Sequence, residues 1–320
     1  MVNYKIDSKR GIVYLSIAII FVGLIMVLFL MKIKDTVSSD SVEKRVRSIN
    51  DFINSFHEDA ERAGYISGYR SFVALEDYIS ESGAFVNNSE EIFKELFYNG
   101  TYNGSNSSIM KNSSFDLYIS KVEDISSNLN LDFNFEIIDV SFYQLDPWNV
   151  YINLTATIVV VDLKGSANWT YDQVLSFDVP IYNLKDPLYS VYAAGRIQNF
   201  ILESENIDFV NVSDNTTLVL EKHLNGSYYI ASNKSPSFMM RFEGDTDASP
   251  YGIESLVNIP LLESQDLTVY TDRSLVDHIY FEGKSHTLIC DVQNEPYDWF
   301  ALDLARVADY QIDLLNYTIC

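Results

Sequence analysis

The sequence predicts an α+β fold: a long N-terminal helix with a transmembrane half and an amphipathic half, packed on an antiparallel β-meander and followed by a second α+β subdomain. Three observations carry this. Residues 11–31 (GIVYLSIAIIFVGLIMVLFLM) carry no charge between Arg10 and Lys32. Beyond them, apolar residues recur at alternating spacings of four and three, the signature of one buried helix face. Later, three stretches at 131–145, 150–163 and 168–181 alternate apolar and polar residues with period two, as half-buried strands do.

At ~1.5 Å per residue the uncharged run covers ~30 Å, the thickness of a hydrocarbon core, so residues 12–33 are expected to cross a bilayer. A cleaved secretory signal has a shorter apolar region and a small-residue cleavage site, whereas Met31-Lys32-Ile33-Lys34 follows here. Lys5, Lys9 and Arg10 precede the run and Lys32 and Lys34 follow it, so the positive-inside rule is nearly balanced. Every acidic residue except Asp7 lies beyond the run, in a chain of net charge −23. The expected protein is therefore single-pass in the cell membrane, with a short cytoplasmic N terminus, a large extracellular domain, and membrane lipid as a partner. Sequons at Asn87, Asn99, Asn103, Asn106, Asn112, Asn153, Asn168, Asn211, Asn215, Asn225, Asn233 and Asn316 suit a glycosylated exterior.

The helix is expected to continue. Val42, Val46, Ile49, Ile53, Phe56, Ala60 and Ala63 form an apolar seam, opposite Glu43, Lys44, Arg47, Asp51, Glu58 and Glu61. Such a seam must be covered, either by a second copy in a coiled coil or by the protein's own head. Ala63-Gly64 and Gly68 make a small-residue stripe that another backbone can approach, and Gly83 is the expected C-cap after Glu81. Residues 89–98 read as a short helix capped by Ser89, 99–114 as a polar, sequon-dense loop, and 114–129 as a helix. Asp146-Pro147-Trp148 and Lys164-Gly165 supply the turns of the meander, and Trp148 and Trp169 read as sheet aromatics. A short helix is expected at 190–202. Short strands are expected at 217–224, 226–232, 236–244, 267–273, 274–283 and 286–292, and a closing helix at 300–315. The domain plan is a leader (1–11), a membrane helix (12–33), an α+β head (34–203) and a C-terminal α+β subdomain (204–320).

The strong acidity argues against nucleic acid as a partner, because phosphate is repelled. Glu243, Asp245 and Asp247 have alternate acidic spacing, but Glu254 does not sit where a calcium loop needs its closing ligand. His278, His286 and Cys290 fall close together without a zinc spacing. No GxSxG, HExxH or phosphate-cradling glycine loop is present. No catalytic residue, metal or cofactor is therefore expected. Cys290 and Cys320 can either close a disulfide that pins the C-terminal tail or remain free or intermolecular thiols.

Ser8-Lys9-Arg10-Gly11 followed at once by an apolar helix resembles the start of type IV pilins and pseudopilins. The resemblance covers about the first 35 residues and implies a prepilin-type peptidase cutting between Gly11 and Ile12, so that Lys9, Arg10, Gly11 and Ile12 form the processing segment. It also implies other pilin-like subunits as partners through the N-terminal helix. In most major pilins the fifth mature residue is Glu; here it is Ser16, which points to a minor subunit. The stretches at 186–189 (DPLY) and 235–260 (SPSFMMRFEGDTDASPYGIESLVNIP) are similar to archaeal membrane-anchored surface proteins. The expected function is a non-catalytic, pilin-like cell-surface protein, a minor subunit of a type IV pilus-like filament. The alternative is a receptor or adhesin that is neither cleaved nor assembled.

Overall fold

The computed structural model describes the backbone of residues 8–283, 288–292, 297–315 and 318–320, and the side chains of these residues other than 8–18, 30, 33–40 and 318–319. The fold is mixed α+β with small antiparallel sheets. Helix α1 (Ser8–Ser82) is followed by α2 (Ser89–Asn99), the two-residue strands β1 (Thr101–Tyr102) and β2 (Ser105–Asn106), and α3 (Phe115–Asn128). Strands β3 (Leu131–Tyr143), β4 (Asn149–Asp162) and β5 (Asn168–Pro180) then form an antiparallel sheet in that order.

The expectation of a transmembrane helix over 12–33, and with it that of a single-pass cell-membrane protein, is corrected by the structure. Among the described residues, no helix is long and apolar enough to cross a membrane. Within that run the longest stretch with described side chains is 19–29, about 16 Å of helix against the ~30 Å of a hydrocarbon core.

Alternation dictates the sheet. Val150, Ile152, Leu154, Ala156, Ile158 and Val160 point inward from β4, while the residues between them are only half-buried. Leu175, Phe177 and Val179 do the same on β5. On β3 the buried positions are odd (Leu131, Phe133, Phe135) and then even (Val140, Phe142). A bulge between Ile137 and Asp139 absorbs the extra residue, so both halves of the strand bury the same face.

The buried face receives α1. Phe56 sits against Phe133 and Phe135, with ring centroids 5.0 and 5.9 Å apart. One turn on, Ala60 is fully buried and Gly64 lies against the ring of Phe177. Gly68 faces Ile152 and Val179, and a Cβ there would meet both. Arg45 anchors the approach, donating to Asp162 Oδ1 at 2.8 Å and to the carbonyls of Leu129 and Asn130. That guanidinium holds the Asp162 carboxyl well below the usual carboxylate range. Gly83, at φ +65°, ends α1, its N–H returning to the Ile79 carbonyl at 2.9 Å.

Local details depart from expectation where short polar side chains act. The cap of α2 is Asn88, not Ser89: its side chain accepts from Glu91 N. Residues 101–106 form a hairpin turning at Asn103-Gly104, and Glu95 secures it by accepting from Thr101 Oγ1, Asn103 N and Gly104 N at 2.7–3.0 Å. Asp186 caps α4 (Pro187–Tyr192), with Pro187 in its first turn, so this helix begins and ends earlier than 190–202.

The remaining elements are α5 (Leu218–Gly226), β6 (Tyr229–Ala231), α6 (Phe238–Phe242), β7 (Ile253–Ser255), α7 (Ile259–Ser264) and α8 (Asp277–Glu282). After them come β8 (Ile289–Val292), β9 (Ala301–Asp303), α9 (Leu304–Val307), a 3-10 turn (Ile312–Leu315) and β10 (Thr318–Ile319). Three segments expected as strands, around α5, α6 and α8, are helices. The expected strand at 267–273 has no regular structure, and the expected closing helix is split between β9, α9 and the 3-10 turn. Two hydrophobic clusters result. The first unites α1, α2, α3 and the meander with Tyr229, Phe238, Phe242 and Ile253; the second takes Tyr189, Ala193 and Ile197 together with most apolar residues beyond 205.

The close approach at Gly64 and Gly68 is testable. Gly64→Val and Gly68→Val are each expected to destabilise the fold by about 1–3 kcal/mol, because Phe177 or Ile152 must move to admit the new side chain. Urea denaturation against the parent measures this.

Candidate functional site

The sequence-derived seam lies on α1 and faces the head. Ile49, Phe56 and Ala60 are buried, Val46, Ile53 and Ala63 are half-buried, and Val42 is 44% exposed. Of the two covers considered, the chain's own sheet occupies the seam from Ile49 onward. Lys9, Arg10, Gly11 and Ile12 lie in the first turns of α1, and their side chains are outside the described residues. By contrast, residues 19–29 are described and open: Ile20 is 68% exposed, and Ile25 and Val27 are each 51% exposed.

Cys290 and Cys320 form a disulfide that ties the terminal residue to β8, the strand with which β10 pairs. With Cys290 in that bond and His286 outside the described residues, the trio with His278 offers no described metal site. Among the described residues no group of three or more His, Cys, Asp or Glu could hold a metal ion. Glu243 accepts from Ser89 N at 2.6 Å, tying the end of α6 to the start of α2, and Asp245 accepts from Asp247 N at 2.9 Å within a local turn.

The densest polar chemistry was not foreseen. Arg241, from α6, is fully buried and places Nη1 2.6 Å from Asp186 Oδ2 and 2.9 Å from Asp277 Oδ2. Its Nη2 donates to the Ile253 carbonyl. Asp186 also accepts from Tyr229 OH at 2.7 Å and Leu188 N at 2.9 Å. Asp277 accepts from Ser255 N at 3.2 Å and Ser255 Oγ at 3.0 Å. His278 continues the chain, with Nδ1 3.3 Å from Asp277 Oδ1 and Nε2 3.4 Å from Arg306 Nη2. Arg306 in turn lies 3.4 Å from Glu254 Oε2, and Ser235 Oγ donates to that same oxygen.

Burial pushes both aspartates upward, and the surroundings split them. At Asp277 the Arg241 charge and the His278 contacts outweigh burial and hold the carboxyl below its ordinary value. At Asp186 burial prevails, reinforced by Asp277 and opposed by Arg241. Burial would lower the Arg241 pKa, but the two aspartates more than offset this and keep it charged.

This relay-like chain of acid, arginine, acid, histidine and arginine sits inside the protein, so its geometry serves packing. Phe238 and Phe242 flank Arg241 in sequence and enter the first cluster, against Phe72 of α1. Asp277 and Arg306 belong to elements of the second. The buried charges thus fix how the two clusters meet. The sequence carries one signal of it: FMMRF is an apolar run with a single charge, and a buried charge demands an opposite partner.

Glu76 joins α1 to this region. It is 3% exposed, and Lys185 and Asp186 are its charged neighbours. Burial pushes its pKa up to about 8, only partly offset by the Lys185 backbone N–H and charge. Compared with known protein families, curated proteins and solved structures, the chain matches none.

The folded chain holds the Glu76 proton to about pH 8, whereas the unfolded carboxyl loses it near its ordinary value of 4.5. Stability contributed by the neutral form is therefore complete below 4.5 and lost as pH rises toward 8. Glu76→Gln is expected to match the parent near pH 4 and exceed it by about 2–4 kcal/mol near pH 8.5, by denaturation at a series of pH values. Arg241→Met leaves two buried carboxylates unpaired and is expected to cost about 3–5 kcal/mol, with part recovered when Asp186→Asn and Asp277→Asn are added.

Proposed function

We propose that this chain is a non-catalytic, pilin-like filament subunit that assembles through its N-terminal helix, and that it is a minor rather than a major subunit. One observation carries the reading. The same continuous helix that is packed into the head through Phe56, Ala60, Gly64 and Gly68 presents an uncharged, exposed stretch at 19–29. An apolar helical surface of that length needs a cover. Equivalent helices of neighbouring subunits are the natural one, because each copy brings the same surface on the same helix. The finer architecture goes with this: a long helix docked on an antiparallel meander, with a further α+β region carried outward.

Further support comes from Ser8-Lys9-Arg10-Gly11 directly ahead of the apolar run, and from Ser16 in place of the glutamate of major pilins. The partners are then a prepilin-type peptidase acting between Gly11 and Ile12, and other pilin-like subunits. The seam favours this reading over a receptor or adhesin raised on a dimeric stalk. From Ile49 on, the residues that would form such a stalk are used internally.

The mature protein, isolated from its own cells, is expected to begin at Ile12, and Gly11→Leu is expected to leave the first eleven residues attached. N-terminal sequencing measures both. A native chain that still begins at Met1 or Val2 contradicts the proposal.

A further inference from the structure

A cavity of about 500 Å³ opens between the β3–β4 turn and the β6–β7 strand pair, lined by Trp148, Glu203, Ile207, Asn233, Glu254 and Asp309 among others. Its aromatic wall is fixed from both sides of the backbone. Trp148 N donates to Asp146 Oδ1 at 2.8 Å, and the Trp148 carbonyl accepts from Ile181 N at 2.9 Å. Glu254 is fully buried; Oε2 takes the Ser235 hydroxyl and faces Arg306, while Oε1 has no hydrogen-bond partner. That side chain is shut off from the cavity, and the carboxylates that the cavity exposes are those of Glu203 and Asp309.

The charge balance selects the kind of ligand. Asp309 is paired with Lys234 at 2.6 Å, and Glu254 with Arg306 at 3.4 Å. Two of the three lining carboxylates thus already have cations, which disfavours a second cation and suits a neutral ligand rich in hydroxyls. An indole, the apolar Ile207, the exposed carboxylate of Glu203 and the amide of Asn233 line one cavity, a set that recognises a saccharide. The ring's C–H face lies on the aromatic surface, and its hydroxyls both donate and accept. The volume falls within the range of small-molecule sites and has room for one or two sugar rings.

We infer that this cavity binds a mono- or disaccharide, with Trp148 against a sugar face and Glu203 and the Asn233 amide hydrogen-bonding its hydroxyls. Nothing in this depends on how the N-terminal helix is used.

The full-length protein, titrated with glucose, galactose, mannose, N-acetylglucosamine, lactose and maltose, tests the inference by tryptophan fluorescence and calorimetry. At least one sugar is expected to bind with Kd below about 5 mM. Glu203→Gln and Asn233→Ala, both at exposed positions, are expected to weaken it about three- to tenfold without changing Tm. Trp148→Ala is expected to weaken it about tenfold or more. Absence of binding across the panel overturns the inference, as does binding indifferent to all three substitutions. Binding of 1,5-diaminopentane in place of every sugar overturns it too, by showing a cation site.

Discussion

The fold depends on the closeness with which α1 meets the meander. At Gly64 and Gly68 the helix has no side chain, and Phe177, Ile152 and Val179 occupy the space a Cβ would need. Helix and sheet can therefore lie nearly backbone to side chain over two turns. Phe56 and Ala60 before this contact, and Phe72, Leu75 and Ile79 after it, follow the same face into the first cluster. Moving the helix outward there would loosen the whole row. Its seam is hence an internal surface of the head and gives a coiled-coil partner little to grip.

A second constraint fixes what lies beyond. The guanidinium of Arg241 is shared by Asp186 and Asp277, all three fully buried. Ion pairs of this kind add little net stability against a well-packed apolar replacement, because desolvation offsets the attraction. They do, however, penalise any arrangement that separates the partners. Here α6 presses Phe238 and Phe242 toward Phe72 while its arginine meets the capping residue of α4 and the first residue of α8. A displaced pairing of the clusters would have to separate these buried charges, so the charges act on specificity more than on total stability.

The sequence revealed the large, periodic elements and concealed the short, buried ones. The meander was legible to within one or two residues because alternation on β3, β4 and β5 records which face is wet. The helix from Val42 to Ser82 was legible through its spacing and its terminal glycine. By contrast, α5, α6 and α8 span only nine, five and six residues, too few for a helical period to stand out. In FMMRF and DHIYFE the aromatic and β-branched residues argue for strand and tertiary context overrides them, whereas the Leu, Glu and Lys of LVLEKHL favour the helix observed. The buried ion network stayed hidden because Asp186, Arg241 and Asp277 are distant in the chain. The cavity beside Trp148 was hidden likewise, since it gathers residues from the β3–β4 turn and from four later segments.

Hydrogen exchange of the full-length chain tests most directly whether α1 is built into the head. The account predicts that amides from Ile49 to Ile79 are protected to the same degree as those of β4 and exchange with them in one cooperative unfolding. It also predicts that amides of 19–29 in the unassembled subunit exchange through a separate, lower-energy opening. Fast exchange across 49–79 while β4 stays protected would show a helix that only lies alongside the sheet, and would contradict the account.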